Sequence, residues 1–254
     1  MSDGLFDVSG RVALVTGSSR GIGLALASGL AERHARVVLH GRDAEALAAA
    51  ERELSRHTDV MTVSFDVTDP VGVAEGIARI DAAWGVPDIL VNNAGIQRRN
   101  PFTEFRVDDW NDLLATNITS AFLVGQAVAR GMVERGSGKI INIASVQSSH
   151  GRKGIAPYAA TKGAIAMLTK GMCADLASSG IQVNALAPGY FDTALNAALV
   201  ADEKFSEWVR GRTPAGRWGE VDDLIGTLIY LASAASGFVN GQVIYVDGGM
   251  TSVL

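Results

Sequence analysis

The sequence has a single cysteine and no long apolar run, and both scarcities limit what the protein can be. Cys173 is the one cysteine among 254 residues, so no internal disulfide can form, and its apolar helical surroundings predict packing and not thiol chemistry. No segment approaches the roughly eighteen uninterrupted apolar residues of a membrane helix. Met1-Ser2-Asp3-Gly4 lacks the basic start of a signal peptide. We therefore expect a soluble, cytoplasmic protein without a membrane partner.

A basic block and an interdomain linker are also missing. The formal net charge is -5, and no cluster of lysine and arginine offers a surface for nucleic acid. An anionic substrate would have to be held by a few placed cations. The chain has no proline- or serine-rich linker and no internal repeat, and its length lies within the range of one α/β domain. We therefore predict a single domain over 1–254.

A glycine-rich turn lies near the start of the chain. Residues 11–16 form an apolar, β-branched run that breaks into Gly17-Ser18-Ser19-Arg20-Gly21-Ile22-Gly23, after which an Ala- and Leu-rich helix continues to His34. Glycines at a strand-to-helix turn let backbone N–H groups approach a pyrophosphate, and the helix N-terminus adds donors and a positive dipole end. The spacing Gly-x-x-x-Gly-x-Gly differs from the usual Gly-x-Gly-x-x-Gly. The turn nevertheless predicts a dinucleotide site.

The residues after the second strand, 36–39, indicate which dinucleotide binds. An acidic residue there would bond the ribose 2′-hydroxyl of NAD, but the chain has His40 and Arg42. Arg20 of the glycine turn can approach from the other side, and guanidinium groups suit a 2′-phosphate. Asp43 is interpreted as the N-cap of a helix that begins at Ala44. These residues favour NADP over NAD.

Strand and helix patterns alternate along the rest of the chain. Further strands are predicted at 60–65, 89–91, 139–143, 182–186 and 242–246, and long helices at 107–134 and 158–177. This alternation predicts an α/β fold, a doubly wound, Rossmann-like parallel sheet of about seven strands with helices on both faces. Asp66, after the third strand, either bonds the adenine amino group or serves as a turn carboxylate. Residues 190–218 form a long, aromatic connection that is typical of a substrate lid.

Tyr158 and Lys162 are four residues apart in a helical stretch, so both side chains lie on one face. A cation close to a phenol favours the phenolate and lowers the phenol's pKa from about 10 toward the working pH. The phenol then becomes a usable proton donor or acceptor. The same spacing also occurs in amphipathic pairs that merely cover surface. The pair by itself therefore leaves both interpretations open.

These segments together resemble one family. With Gly17 to Gly23, Asn92-Asn93-Ala94-Gly95, Ser145, Tyr158-x-x-x-Lys162 and Pro188-Gly189 in this order, the chain resembles the short-chain dehydrogenase/reductase family over essentially its whole length. The resemblance implies hydride transfer with a nicotinamide cofactor and a catalytic tetrad of Asn117, Ser145, Tyr158 and Lys162. Tyr158 would exchange a proton with the substrate oxygen, which Ser145 would hold. Lys162 would lower the phenol's pKa and bond the nicotinamide ribose, while Asn117 would keep a water of the proton relay.

The resemblance also implies the cofactor contacts and the assembly. Thr193 would bond the nicotinamide carboxamide, and no metal is implied. The implied cofactor-binding residues are Gly17, Ser19, Arg20, Gly21, Ile22, Gly23, His40, Arg42, Asp66, Val67, Asn93, Ala94, Gly95, Tyr158, Lys162, Pro188, Gly189 and Thr193. The two long helices resemble those that pair across subunits in the family, which implies a homotetramer.

A narrower likeness concerns the substrate. Segments 93–99, 145–148, 187–191, 212–218 and 238–241 look like those of gluconate 5-dehydrogenases, which interconvert D-gluconate and 5-dehydro-D-gluconate. Arg99 would bind the sugar-acid carboxylate or lie in solvent, whereas Arg98 is expected in solvent. Substrate contacts are predicted for Arg99, Ser145, Gln147 and Tyr158, with Gln97 as a further hydroxyl partner and Tyr190 and Trp218 as apolar walls. Two departures lie near the pocket: Ala144 replaces a cysteine of those enzymes, and Ser149-His150-Gly151 replaces a more acidic stretch.

Two other functions remain open at this point. One is an NAD(P)-dependent reductase of another keto substrate, such as 2-deoxygluconate-type sugar acids or a 3-oxoacyl thioester. A thioester reductase would need a basic docking surface for its acidic carrier, and the sequence offers no obvious cluster. The other is a non-catalytic NADP-binding regulator, against which the presence of all tetrad residue types argues.

Overall fold

The strands of the protein form one parallel sheet. The computed structural model describes residues 4–193 and 196–253. Its strands are Val12–Val15 (β1), Arg36–His40 (β2), Val60–Val63 (β3), Ile89–Asn92 (β4), Gly138–Ile143 (β5), Ile181–Pro188 (β6) and Val243–Val246 (β7). The sheet has seven strands in the order β3-β2-β1-β4-β5-β6-β7. The strand order reverses between β1 and β4, and a crevice at such a point is where open α/β sheets bind ligands.

Helices cover both faces of this sheet. They are Gly21–Ala31 (α1), Ala44–Leu54 (α2), Pro70–Trp84 (α3), Val107–Leu114 (α4), Ser120–Arg135 (α5), Ala156–Leu176 (α6), Ala197–Val200 (α7), Glu203–Arg212 (α8) and Ile225–Ala232 (α9). Successive side chains of β1 point to opposite faces, so Ala13 and Val15 lie in one buried core with α1 and α9. Val12 and Leu14 lie in the second core with α3 and α5. The predicted doubly wound α/β fold is confirmed.

Local sequence explains where several helices begin. Asp43 accepts a hydrogen bond from the Ala46 N–H at 3.1 Å and is the N-cap of α2, as predicted. Asp69 caps α3 in the same way, with Pro70 in the first turn. Cys173 is half-buried against the second core, in the packing role that was predicted. Within 4–193 and 196–253, no helix is long and apolar enough to cross a membrane.

The helix predicted over 107–134 is present, but it contains one irregular turn. After α4, residues 115–119 form a π-helical turn, and α5 follows without a break from Ser120. Such turns are frequent at functional sites. The cause is Asn117, which is 2% exposed and bonds to groups outside its own helix. The first helix also ends at Ala31, earlier than predicted, and His34 beyond it has a left-handed φ of 59°.

Candidate active site

The glycine turn lies directly against the end of β4. Gly17 has a φ of 63°, a conformation that favours glycine, and a Cβ on Gly23 would collide with the Gly17 carbonyl and the Asn93 amide. The Asn93 side chain donates to the Thr16 and Gly17 carbonyls at 2.9 and 3.1 Å. The turn is therefore held tightly enough for a close backbone approach by a ligand. A strand-to-helix glycine turn with this tight packing fits a dinucleotide pyrophosphate.

His40 does not present its ring to a ligand, contrary to the predicted 2′ contact. Only 3% of the residue is exposed, because the ring lies beneath the glycine turn. The Gly17 N–H donates to Nδ1 at 3.1 Å, which places the ring proton on Nε2, and Nε2 donates to the Phe65 carbonyl at 3.0 Å. Burial lowers the pKa of His40, so the ring stays neutral and keeps its acceptor. His40 thus positions the turn instead of reading the cofactor.

The two arginines predicted for the 2′ position remain available. Arg20 and Arg42 are both exposed, and Arg42 lies 4.0 Å from Asp66 in a weak surface pair. Asp66 accepts hydrogen bonds from the Thr68 N–H and hydroxyl at 2.9 and 2.7 Å. These bonds lower the pKa of Asp66, with a smaller contribution from Arg42. The turn role considered for Asp66 is therefore present, and its contact with the adenine amino group stays a prediction.

The other predicted cofactor residues lie along the carboxyl edge of the sheet and differ in how exposed they are. Ser19 and Ile22 are half-buried in the glycine turn, and Val67 packs in the second core. Pro188 ends β6, and the Gly189 N–H bonds the Val246 carbonyl at 2.9 Å. The remaining members surround this edge at half-buried or exposed positions: Gly21, Ala94, Gly95 and Thr193.

Ser145, Tyr158 and Lys162 converge at the end of β5. Ser145 accepts a hydrogen bond from the Gln147 N–H at 3.2 Å, and the Ser148 hydroxyl donates to the Lys162 carbonyl at 2.8 Å. The serine turn is thereby fixed to α6, which carries the other two residues. The Lys162 Nζ lies 5.8 Å from the centre of the Tyr158 ring and donates to the Ile143 carbonyl at 2.7 Å. The surface-pair interpretation of Tyr158 and Lys162 is therefore wrong, because Lys162 is only 7% exposed.

The predicted lowering of the phenol's pKa is not what this structure has. Burial raises the pKa of Tyr158 above its usual value near 10, and hydrogen bonding with Ser145 and the charge of Arg99 only partly oppose that rise. Burial also lowers the pKa of Lys162 to about 8. Desolvation is the largest cause of the shift for both groups. At neutral pH the site therefore holds a protonated phenol beside a lysine that is easily neutralised.

Asn117 ties the π-helical turn to the site. Its Oδ1 accepts from the Ile96 N–H at 2.7 Å, and its Nδ2 donates to the Ile96 carbonyl at 3.0 Å and the Thr161 hydroxyl at 3.2 Å. Thr161 precedes Lys162 on α6. The asparagine thus joins the loop after β4 to the helix that carries the tyrosine and the lysine, and the four tetrad residues belong to one connected structure.

Two arginines face the tyrosine side of the site, and sequence reasoning found only one of them. Arg99 lies close enough to Tyr158, Tyr190 and Arg152 for charge interactions, and burial followed by the charge of Arg152 lowers its pKa. Arg98 instead pairs with Asp109 at 3.3 Å, as a surface residue. Arg152 was missed because its neighbours are distant in sequence; the only signal was its position between the serine turn and Tyr158.

Polar and aromatic residues complete this side of the site. Gln147, a predicted substrate contact, has a buried Oε1 with no hydrogen-bond partner in the part of the chain that the structure describes, whereas the Gln97 Oε1 accepts from the neighbouring Arg98 N–H at 3.1 Å. Four aromatic side chains from the 190–218 segment pack against one another, and we name them the aromatic cluster: Tyr190, Phe205, Trp208 and Trp218. The predicted apolar walls, Tyr190 and Trp218, are members.

Two surface cavities of about 300 and 250 Å³ are lined in part by Gly21 of the glycine turn and by Tyr190 of the aromatic cluster, respectively. The larger lies between α1 and the start of α9, and the smaller between Phe191 and the end of β7. Neither is lined by Ser145, Tyr158 or Lys162. The chemistry is therefore assigned to the open edge of the sheet and not to these cavities.

Comparison with known proteins defines the class of enzyme. A family model described as enoyl-(acyl carrier protein) reductase matches residues 17–251. With this match, the Rossmann-like sheet and relatives at high identity, the chain belongs to the short-chain dehydrogenase/reductase family, as the sequence indicated. It is an oxidoreductase of the kind that acts on CH–OH groups.

Particular relatives share almost the whole chain. It is 57% identical to the gluconate 5-dehydrogenase of Gluconobacter oxydans (strain 621H), over 97% of both chains. It is 50% identical to the 5-keto-D-gluconate 5-reductase of Escherichia coli (strain K12), again over 97% of both. A crystal structure of a gluconate 5-dehydrogenase from Burkholderia cenocepacia J2315 in complex with NADP and tartrate superposes with a TM-score of 0.95. It is 56% identical and covers 99% of each chain.

Proposed function

We propose that this enzyme interconverts D-gluconate and 5-dehydro-D-gluconate with NADP as cofactor. The observation that carries the proposal is the convergence of Ser145, Tyr158 and Lys162 at the end of β5, with Arg99 facing Tyr158. The named activities of the relatives support the substrate. The proposed single domain spans 1–254, with 190–218 as its substrate lid.

The cofactor, when bound, supplies or accepts the hydride. Its pyrophosphate would be held by the backbone of the glycine turn, and its 2′-phosphate by Arg20 and Arg42. Lys162, beside the tyrosine and at the carboxyl end of β5, would bond the nicotinamide ribose. The NADP complex of the similar Burkholderia enzyme supports this choice of cofactor.

The protein's own groups handle the proton. Tyr158, which is protonated at neutral pH, donates its hydroxyl proton to the substrate oxygen in reduction and takes it back in oxidation. Ser145 holds that oxygen by a hydrogen bond. Asn117 and Lys162 link the tyrosine to the proton relay. Each group has one role, and together they account for a reversible carbonyl-to-alcohol reaction.

The substrate carboxylate would be recognised by Arg99, and its hydroxyls by Gln147. Arg99 lies close to Tyr158 and Tyr190, and its guanidinium can bind a carboxylate through two parallel hydrogen bonds. Gln147 offers an unpaired buried oxygen. These groups favour a polyhydroxy acid over an acyl thioester, whose acidic carrier would need a basic surface.

We also propose a cytoplasmic homotetramer. The long helices expose apolar side chains, which would be covered if the helices pair across subunits: Trp110 of α4, Phe122 and Val133 of α5, and Met167 of α6. Light scattering should give the mass of four chains, and Phe122→Asp should reduce it. A wild-type monomer would contradict this assembly.

Turnover with a matched set of substrates tests the function. We expect NADPH to be oxidised with 5-dehydro-D-gluconate, more slowly with NADH, and not with a 3-oxoacyl thioester. Binding of NADPH without turnover of any sugar acid would make the protein a regulator. Turnover of the thioester in preference to the sugar acid would contradict the proposed substrate.

A further inference from the structure

Arg152 is a half-buried cation for which the reaction described above gives no role. It lies on the connection from β5 to α6, six residues before Tyr158. Its Nε is buried and has no hydrogen-bond partner among the described residues. No carboxylate within 4–193 and 196–253 forms a salt bridge with Arg152 or with Arg99. An unpaired buried guanidinium donor is costly, so a ligand is expected to satisfy it.

The aromatic cluster holds this guanidinium in place. The Arg152 carbon Cζ lies 5.2 Å from the centre of the Phe205 ring and 6.0 Å from that of Tyr190. Cation–π contacts of this kind fix a guanidinium without consuming its hydrogen-bond donors. Phe205 belongs to α8 and Tyr190 follows β6, so the 190–218 segment sets the position of Arg152. The donors therefore stay available for a planar anion.

The second arginine lies beside it. The charge of Arg152 lowers the pKa of Arg99, so the two guanidiniums are close enough to repel each other. Among the residues that the structure describes, the Arg99 side chain makes one long hydrogen bond, from Nη2 to the Asn196 Oδ1 at 3.4 Å. Two adjacent cations that have no carboxylate partner in the described part of the chain form an anion site, and their repulsion is relieved when a carboxylate lies between them.

We propose that Arg152 and Arg99 bind the substrate carboxylate together, so that Arg152 is a specificity-determining residue and recognises acids over neutral polyols. This inference rests on the proposed function, because it assigns the carboxylate end of the same substrate. Phe205 and Tyr190 would then border the bound anion. An Arg152 variant should bind the substrate carboxylate less tightly and keep its affinity for the cofactor.

Binding of a small acid to the NADP-loaded enzyme tests this inference without turnover. The probes are tartrate and threitol, which carries CH₂OH groups in place of the two carboxylates. We expect the wild type to bind tartrate and not threitol, and Arg152→Gln to weaken tartrate binding about tenfold or more, as expected for loss of a charge-assisted pair. Arg152→Lys should recover part of it. Calorimetry measures both, and NADP affinity reports whether the variant is folded.

The matched control is Arg98→Gln, which removes a neighbouring arginine that pairs with Asp109 and Asp112 on the surface. It should bind tartrate as the wild type does. Tartrate affinity within twofold of wild type in Arg152→Gln, or equal binding of tartrate and threitol by the wild type, would overturn the inference. If Arg152→Gln loses tartrate but the wild type does not reduce 5-dehydro-D-gluconate, the carboxylate site stands and the proposed substrate fails.

Discussion

Tyr158 is the residue through which the proton must pass. Its hydroxyl is kept protonated by burial, while Ser145 and Arg99 pull its pKa down again. A protonated phenol suits ketone reduction at neutral pH, whereas alcohol oxidation needs the phenolate and should speed up as the pH rises. The direction of the pH dependence should therefore differ between the two reactions.

Replacing Tyr158 by Phe tests this role. The variant keeps the ring but has no exchangeable proton, so kcat/KM for reduction should fall about 10²- to 10⁴-fold, the usual contribution of a general acid. NADPH binding, measured by fluorescence, should change little. Activity within tenfold of wild type would mean that another group supplies the proton.

Lys162 gives the site its pH dependence on the alkaline side. Its pKa is lowered to about 8 by burial, so the ammonium beside the phenol is lost above that pH. In Lys162→Met, which never carries this charge, the pH profile of gluconate oxidation should lack the change near pH 8 that the wild type shows. Lys170→Met, at an exposed position of the same helix, is the control. Identical pH profiles for all three proteins would contradict the electrostatic role.

Some residues of the site could be predicted from the sequence and others could not. The positions of Tyr158 and Lys162 follow from helical spacing, and Asp43 from its place before a helix. His40 was misassigned because its partners, Gly17 and Phe65, are 23 and 25 residues away. The pKa of Tyr158 was also beyond prediction, because it depends on burial, which spacing does not reveal.

At the scale of elements, the glycine turn is the part that the addition of a single carbon atom should disturb most. Gly23→Ala would place a Cβ against the Gly17 carbonyl and the Asn93 amide, so the backbone of the turn must shift. We expect NADPH affinity to fall about tenfold or more, since the pyrophosphate depends on these N–H groups. Gly226→Ala in α9 has open space around its Cβ and should leave binding unchanged. Equal affinity in both variants would contradict the assigned cradle.

His40 supports the same turn from below. In His40→Phe the Gly17 N–H loses its acceptor, which costs about 1–3 kcal/mol and should weaken NADP binding several-fold. His40→Asn, which returns an acceptor oxygen, should recover part of the loss. If His40→Phe bound NADP normally, the ring would have no role in positioning the turn.

The His40 ring also makes the stability of the fold depend on pH in the acid range. Because burial depresses the pKa of His40 below its ordinary 6.5, the unfolded chain binds the proton first as the pH falls. This contribution to stability is complete above pH 6.5 and is lost as the pH drops through the folded pKa. Thermal unfolding of His40→Phe should therefore lack this part of the acid destabilisation of wild type. If the unfolding temperatures of the two proteins fell in parallel as the pH drops, this prediction would be contradicted.

The π-helical turn inside the helix predicted at 107–134 could not be predicted from the sequence of that helix alone. The apolar spacing correctly indicates helix on both sides of Asn117. The π-helical turn exists because Asn117 bonds Ile96 and Thr161, which come from other elements. The parallel direction of the strands was predictable, because alternating strands and helices require crossover connections.

At the scale of the whole molecule, the fold brings three distant segments to one edge of the sheet. The glycine turn follows β1, the serine turn follows β5, and the aromatic cluster follows β6, each at a strand's carboxyl end. This places the cofactor cradle, the proton donor and the two arginines within one open site. Tyr158 can therefore protonate an oxygen while the neighbouring carbon receives hydride.

The transfer of deuterium from labelled NADPH tests this account most directly. The enzyme is incubated with 5-dehydro-D-gluconate and NADPH that carries deuterium at nicotinamide C4, and the product is analysed by NMR. We predict D-gluconate with deuterium at C5 when one of the two C4 faces is labelled, and no labelled product with Tyr158→Phe over the same time. Product without deuterium, or with deuterium at another carbon, would contradict the account.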